Sequence, residues 1–162
     1  MMSGEIIVRV ADLRVGTGED VLVTVGLGSC VAVALYDPVA RVGGLAHVLL
    51  PSPALSRADP TAAKFPQTAI PHLMELMAKE GARPLRLTGR LVGGASMFAN
   101  LAAPGTIQMG ERNVVACRQV LYAQGIPLIG EAVGGDFGRT VKFRVADGQV
   151  EVSSVAHGVR WL

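Results

Sequence analysis

The sequence contains few aromatic residues, few charges and no basic cluster, and each shortage excludes a kind of protein. Aromatic residues make up 4% and charged residues 17% of the 162 residues, whereas half of the residues are apolar. This composition excludes a disordered chain, because it supplies ample apolar surface to bury. The net charge is +2, and the densest positive stretch, residues 83–90, holds only three arginines. The sequence therefore argues against a nucleic-acid-binding protein.

Membrane, metal and disulfide signals are also missing. The uncharged run from Val21 to Tyr36 contains Gly26 and Gly28 and falls short of the ~20 apolar residues of a spanning helix. The first residues lack the layout of a signal peptide. The two cysteines and three histidines show no metal-binding spacing, so neither a metal nor another cofactor is expected. Cysteines without a framework spacing indicate reduced thiols, and we expect a cytoplasmic protein that is not inserted in a membrane.

The pattern of apolar residues predicts an α/β protein with one domain over residues 1–162. We expect a layered sandwich of a mixed or antiparallel β-sheet with two main helices, at 65–79 and 110–124. Strands are predicted at 5–10, 21–25, 31–36, 45–50, 85–92, 127–133, 139–145 and 150–155, with a short helix from Ser96 and a tail at 160–162. Residues 51–63 are predicted to be a mobile connection beside the site.

The most informative segment is the glycine-rich turn at residues 26–30 (GLGSC), which ends in Cys30 and precedes an apolar strand. Turn-forming residues separate this strand from a second one that contains His47. If the loop is 37–40, Tyr36 pairs with Arg41 and Cys30 lies opposite His47. Directly opposite residues share a face, with Cβ atoms roughly 4.5–5.5 Å apart. A slip of one residue would send one partner to the other face.

A neighbouring cysteine and histidine have a known chemistry. An imidazolium lowers the pKa of a thiol, and the thiolate can attack an acyl carbon while the histidine protonates the leaving amine. The residues alone also allow a buried, apolar Cys30 and a satisfied core His47. Cys117 lies on the apolar stripe of the second helix and is predicted to pack in the core. Residues 111–113 (ERN) are predicted to cap and charge the start of that helix.

Several ordered motifs resemble those of the CheD family, the chemoreceptor glutamine deamidases. They are TVGLGSC at 24–30, GGLAHVLLP at 43–51, KF at 64–65, TAIP at 68–71, GGASMF at 93–98, GERNV at 110–114 and GGDFGRT at 134–140. The resemblance implies an α/β fold and a catalytic set of Cys30, His47 and Thr24. Thr24 would orient the ring of His47 through its hydroxyl or through its backbone carbonyl.

The resemblance also implies the activity and the partners. We expect a protein-glutamine glutaminase, a cysteine-dependent amidohydrolase that converts glutamines on the cytoplasmic helices of chemoreceptors to glutamates through a thioester. The turn at Gly28 and Ser29 is expected to supply backbone N–H groups for the oxyanion. Some members bind a CheC-type phosphatase, so an adaptor with little or no catalysis is the alternative. Transfer of the thioester to an amine, as in a transglutaminase, is a third reading.

Overall fold

The computed structural model describes residues 4–55, 62–98, 101 and 103–162. The strands in this part of the chain are β1 (Glu5–Ile7), β2 (Leu13–Thr17), β3 (Val21–Leu27), β4 (Val31–Asp37), β5 (Val42–Val48), β6 (Thr88–Gly93), β7 (Leu128–Val133), β8 (Arg139–Arg144), β9 (Gln149–Ser154) and β10 (Gly158–Trp161). The two α-helices are α1 (Pro66–Lys79) and α2 (Met109–Ala123), and short 3-10 turns cover Pro53–Leu55, Ala62–Lys64 and Pro84–Arg86. Both predicted helices are confirmed.

The strands form two five-stranded sheets. The central sheet has the order β2-β5-β4-β6-β7, and the outer sheet has the order β1-β3-β8-β9-β10. Pairing is parallel between β1 and β3 and between β6 and β7, and antiparallel elsewhere. The predicted α/β sandwich with mixed and antiparallel pairing is therefore confirmed.

The central sheet lies between the helices and the outer sheet, so there are three layers. One apolar cluster joins α1 and α2 to residues such as Val31, Val33 and Val48 of the central sheet. A second cluster joins the other face of that sheet, including Ala32 and Leu45, to the outer sheet. Strands β4 and β5 are buried along their whole length. A strand buried on both faces reads as a continuous apolar run, as these two do.

The register of the β4–β5 hairpin differs from the predicted one. Tyr36 pairs with Gly43 rather than Arg41, and His47 pairs with Ala32 rather than Cys30. The reason is that Asp37 still belongs to β4 and pairs with Val42, so the loop is 38–41. The slip is two residues, and since side chains alternate with a period of two, each residue keeps its face.

The carboxylate of Asp37 fixes this loop. It is fully buried, and its oxygens accept hydrogen bonds from the N–H groups of Val39 and Ala40 in the loop. They also accept one from the N–H of Arg83, which directly precedes the 3-10 turn Pro84–Arg86. The guanidinium of Arg86 donates to both oxygens at 2.9 and 3.1 Å. Asp37 therefore ties the hairpin to the 3-10 turn before β6, which is why β6 begins at Thr88 and not at the predicted residue 85.

Other predicted elements differ at the edges of the fold. The predicted tail is wrong, because residues 158–161 form β10, and β2 was not predicted. The first strand ends at Ile7, before Ala11 adopts a positive φ of 58°. Residues 96–98 form no helix, and residues 99, 100 and 102, over which the predicted short helix would continue, lie outside the described residues. So do residues 56–61 of the predicted connection at 51–63. Among the described residues, no helix is long and apolar enough to cross a membrane.

Candidate active site

The turn that carries Cys30 joins β3 of the outer sheet to β4 of the central sheet. Three consecutive backbone carbonyls in this turn accept hydrogen bonds of 2.8 Å: that of Gly28 from Ala95 N, that of Ser29 from Asn113 Nδ2, and that of Cys30 from Gly94 N. The residues that follow β6, together with Asn113 of α2, thus hold the turn in place. The close approach also requires a glycine at position 93, because a Cβ there would lie 2.4 Å from the carbonyl oxygen of Cys30.

Cys30 and His47 face the same layer, the one between the two sheets. His47 lies between Ala46 and Val48, whose side chains pack towards the helices, so its ring points to the outer sheet. Cys30 packs against the cluster between the sheets. In the observed register Cys30 falls opposite residue 49 and diagonal to His47, and diagonal neighbours are roughly 7–8 Å apart. The predicted shared face is present, although the residues are not directly opposite.

Solvent reaches the two residues unequally. The ring of His47 is fully buried, whereas Cys30 is partly exposed. Of the two residues, Cys30 is therefore the one that an external molecule can approach.

Thr24 connects the outer sheet to the ring of His47. Its hydroxyl oxygen lies 2.7 Å from His47 Nδ1 and 2.6 Å from the carbonyl oxygen of Val8. A carbonyl only accepts, so the single hydroxyl proton must go to Val8. Thr24 then has only lone pairs for the ring, and His47 must carry its proton on Nδ1. The contact is made by the Thr24 hydroxyl and not by its backbone carbonyl.

This arrangement leaves His47 Nε2 as an unprotonated nitrogen in the neutral ring. Nε2 is buried and has no hydrogen-bond partner. An unpaired buried polar atom costs about 1–3 kcal/mol, and native structures contain few of them. A basic nitrogen kept unpaired on the face that Cys30 shares is suited to receive a proton from a thiol.

Burial shifts both titrating groups towards their neutral forms. Burial raises the pKa of the Cys30 thiol, and the backbone N–H of Cys30 opposes this only in part. Burial lowers the pKa of the His47 imidazole. Both shifts favour the neutral thiol and the neutral imidazole of the free protein over the expected imidazolium–thiolate pair.

The backbone N–H groups of the predicted oxyanion turn differ in whether they already have an acceptor. The N–H of Gly28 donates to the carbonyl of Gly26 at 3.1 Å, whereas, within the described residues, the N–H of Ser29 has no acceptor and that of Cys30 faces only its own sulfur. A Cβ at Gly28 would lie 3.2 Å from the sulfur of Met97, so glycine here leaves room for that side chain.

Two contacts of the site had no visible signal in the sequence. Val8 contributes only a carbonyl oxygen, which any residue carries. Asn113 was expected to cap α2, but the N-cap is Gln108, and Asn113 lies inside the helix with its amide on the Cys30 turn. Cys117 packs in the core as predicted, and burial raises the pKa of its thiol. Within the described residues, no group of three or more His, Cys, Asp or Glu side chains is placed to hold a metal ion.

Comparison with known proteins identifies the family of the chain. The model of the CheD family, described as CheD chemotactic sensory transduction, matches residues 49–154. A probable chemoreceptor glutamine deamidase CheD from Caldanaerobacter subterraneus subsp. tengcongensis is 43% identical, over 96% of this chain and 96% of its own length. One from Clostridium novyi is 42% identical over 99% of each chain. A probable chemoreceptor glutamine deamidase CheD 2 from Geobacter metallireducens is 44% identical over 99% of this chain and 100% of its own.

Among solved structures, that of the hypothetical protein YfiH from Bacillus licheniformis has a TM-score of 0.42 and 18% identity, over 69% of this chain and 46% of that one. This likeness is too weak to carry information about activity. The full-length relatives and the family match over residues 49–154 are sufficient by themselves: the chain belongs to the CheD family.

Proposed function

We propose that this protein hydrolyses glutamine side-chain amides of chemoreceptors to glutamate, with Cys30 as nucleophile, His47 as base and acid, and Thr24 as the residue that orients the ring. The observation that carries the proposal is the buried and unpaired Nε2 of His47, fixed as a base by the bond between its Nδ1 and Thr24. The names of the relatives, probable chemoreceptor glutamine deamidases, support the choice of substrate.

The first half of the reaction transfers the acyl group to sulfur. Nε2 of His47 takes the proton of the Cys30 thiol as Sγ attacks the amide carbon of the glutamine side chain, and the C=O π electrons move to oxygen. The resulting oxyanion accepts hydrogen bonds from the N–H groups of the turn at Ser29 and Cys30. His47 returns the proton to nitrogen, the C–N bond breaks, ammonia leaves and a thioester remains.

The second half releases glutamate. The neutral His47 removes a proton from water, and the hydroxide attacks the thioester carbon in the same oxyanion site. The C–S bond breaks, the sulfur takes back the proton from His47, and the free enzyme is restored. The chemistry proposed here uses neither a metal nor a cofactor.

A protein substrate fits the surroundings of Cys30. The thiol is partly exposed, and Met97, which borders the turn, and Phe98 are 50% and 73% exposed. Exposed apolar side chains near a nucleophile suit contact with another protein. Each conversion adds a negative charge to a receptor helix and changes the repulsion between neighbouring helices. The proposed substrate and the two free thiols support a cytoplasmic location.

The direct test incubates the purified protein with the cytoplasmic fragment of a receptor and follows glutamine-to-glutamate conversion by mass spectrometry. Conversion that is lost in Cys30→Ala and kept in Cys117→Ala supports the proposal, because both variants remove a thiol and only one removes the proposed nucleophile. Retained conversion in Cys30→Ala would exclude the nucleophile.

The same assay separates two other readings. An adaptor would show no conversion, and would bind the receptor or a CheC-type phosphatase equally well in the wild type and in Cys30→Ala. A transglutaminase would attach an added primary amine to the glutamine in preference to releasing acid.

A further inference from the structure

The backbone of the Cys30 turn is held from one side. The carbonyls of Gly28, Ser29 and Cys30 all accept hydrogen bonds from the segment that follows β6 or from α2. In a trans peptide the N–H points away from the C=O of the same unit. The N–H groups of Ser29 and Cys30 are consequently directed away from these donors, and within the described residues neither donates to another residue.

Only one of the three donors is a side chain. Nδ2 of Asn113 lies 2.8 Å from the carbonyl oxygen of Ser29 and 3.2 Å from that of Leu49. Both partners are acceptors, so the NH2 group and not the oxygen of the amide must face them. The Ser29 carbonyl and the Cys30 N–H belong to the same peptide unit, and the bond from Asn113 therefore sets the direction of that N–H.

The second bond of Asn113 reaches the histidine strand. Leu49 follows β5, two residues after His47. One amide on α2 thus holds both the turn of the nucleophile and the end of the strand that carries the base. In the chain, Asn113 is 84 residues from Ser29 and 64 residues from Leu49.

The oxygen of the Asn113 side-chain amide indicates that stability alone does not explain why an asparagine occupies this position. Asn113 is fully buried, and its Oδ1 has no hydrogen-bond partner. A buried acceptor without a donor lowers the free energy of unfolding by about 1–3 kcal/mol. Asparagine is also a poor residue for a helix interior. The protein keeps a costly side chain here whose two N–H groups contact the site.

We infer that Asn113 is a positioning residue for the reaction, which acts by orienting the Ser29–Cys30 peptide so that the Cys30 N–H meets the oxyanion. The inference deepens the proposed deamidation and rests on it. Because Asn113 acts through the backbone of the turn, its loss should impair formation of the tetrahedral intermediate while leaving the reactivity of the thiol itself.

The test compares two reactions of the same sulfur in Asn113→Leu, which keeps the number and branching of the side-chain heavy atoms and removes both N–H donors. Deamidation of the receptor fragment passes through an oxyanion, whereas alkylation of Cys30 by iodoacetamide is a displacement at saturated carbon and does not. We expect kcat for deamidation to fall about 10- to 100-fold, with KM unchanged. This is less than the roughly 100- to 1000-fold loss on removing one oxyanion donor, because the Cys30 N–H stays and only its direction changes. The alkylation rate and its pH profile should stay those of the wild type.

Cys117→Ala is the matched control, since it alters a buried side chain of the same helix that packs in the core away from the turn. It should lower stability and leave kcat unchanged. Wild-type kcat in a folded Asn113→Leu would overturn the inference. So would a parallel loss of deamidation and alkylation, because that result indicates a disrupted site and not a misdirected N–H.

A measurement on the unmodified protein covers the case in which the variant does not fold. A receptor peptide whose glutamine amide is replaced by an aldehyde forms a hemithioacetal on Cys30, with its oxygen in the oxyanion position. We expect the amide proton resonance of Cys30 to move downfield on formation of the adduct. An unchanged resonance would overturn the inference, whereas failure of the wild type to deamidate any receptor fragment would overturn the proposed function instead.

Discussion

The hydroxyl oxygen of Thr24 and the Nδ1 of His47 lie 2.7 Å apart, although they are 23 residues apart in the chain and belong to different sheets. The bond crosses the layer between the sheets. Because the Thr24 hydroxyl donates its only proton to the carbonyl of Val8, the neutral His47 ring must carry its proton on Nδ1. The packing of the two sheets therefore determines which nitrogen of the neutral His47 ring carries the proton, and so which nitrogen is available to the proposed reaction as a base.

The contact predicts different results for two substitutions of Thr24. Thr24→Ser keeps the hydroxyl, and we expect deamidation within a few-fold of the wild type. Thr24→Val keeps the shape and removes the acceptor, so the ring loses its orientation, and kcat should fall on the order of 100-fold. Steady-state assays with a receptor fragment check both. Activity kept in Thr24→Val would show that the hydroxyl is dispensable.

The two shifts in pKa predict how Cys30 responds to pH. Burial raises the pKa of the thiol, so the rate of alkylation should still be rising at a pH where free cysteine, measured in parallel, has reached its plateau. Burial also lowers the pKa of His47, so the acidic limb of kcat/KM for deamidation should lie below the ordinary range of histidine. Fast alkylation that persists to acidic pH would instead indicate a thiolate–imidazolium pair in the free protein.

Gly93 is predicted to be required for the position of the nucleophile. Its φ is 111°, and an added Cβ would lie 2.4 Å from the carbonyl oxygen of Cys30. Gly93→Ala should displace Cys30 and lower kcat on the order of 100-fold. Gly81→Ala is the control, because Gly81 has a φ of 102° with open space around its Cβ position. Each substitution costs roughly 1–2 kcal/mol of stability from the left-handed backbone, and only the first should impair catalysis.

Asp37 is predicted to be important for stability and not for chemistry. Burial by itself raises the pKa of its carboxyl, but the N–H groups of Ala40, Arg83 and Val39 and the side chain of Arg86 outweigh burial, and the net pKa is lowered. Asp37→Asn places an NH2 group against these donors and should lower the free energy of unfolding by about 3 kcal/mol.

The control for this prediction is Asp147→Asn. Asp147 pairs with Arg144 at the surface, where an ion pair contributes about 1 kcal/mol or less. Urea unfolding at neutral pH measures both variants. Equal losses of stability would contradict the role of the buried carboxylate.

The helices and most strands could be predicted from the periodicity of apolar residues. This periodicity did not predict the strands whose burial does not alternate regularly. All four residues of β10 are exposed, so no alternation marks this strand, and β2 is short and only partly buried. The hairpin register was wrong because Asp37 is typical of a loop and yet pairs within β4. The carboxylate of an aspartate in an exposed loop would be hydrated, whereas that of Asp37 accepts hydrogen bonds from residues 83 and 86 instead of water.

The residues of the candidate site likewise fall into those that the sequence could identify and those that it could not. Cys30, His47 and Thr24 were identified through local motifs and the family resemblance, and the structure brings them to one layer. The acceptor on Val8 and the donor on Asn113 depend on how distant segments meet. A backbone carbonyl has no signature in sequence, and a lone asparagine in a helical pattern has several ordinary explanations.

The most direct test of the central claim is to trap the acyl group on Cys30. The protein is mixed with a receptor fragment, quenched in acid at short times, digested and examined by mass spectrometry. We expect the peptide containing Cys30 to carry the substrate minus ammonia, with no adduct in Cys30→Ala and no adduct on Cys117 in the wild type. Release of ammonia at an undiminished rate without any adduct on Cys30 would contradict the account.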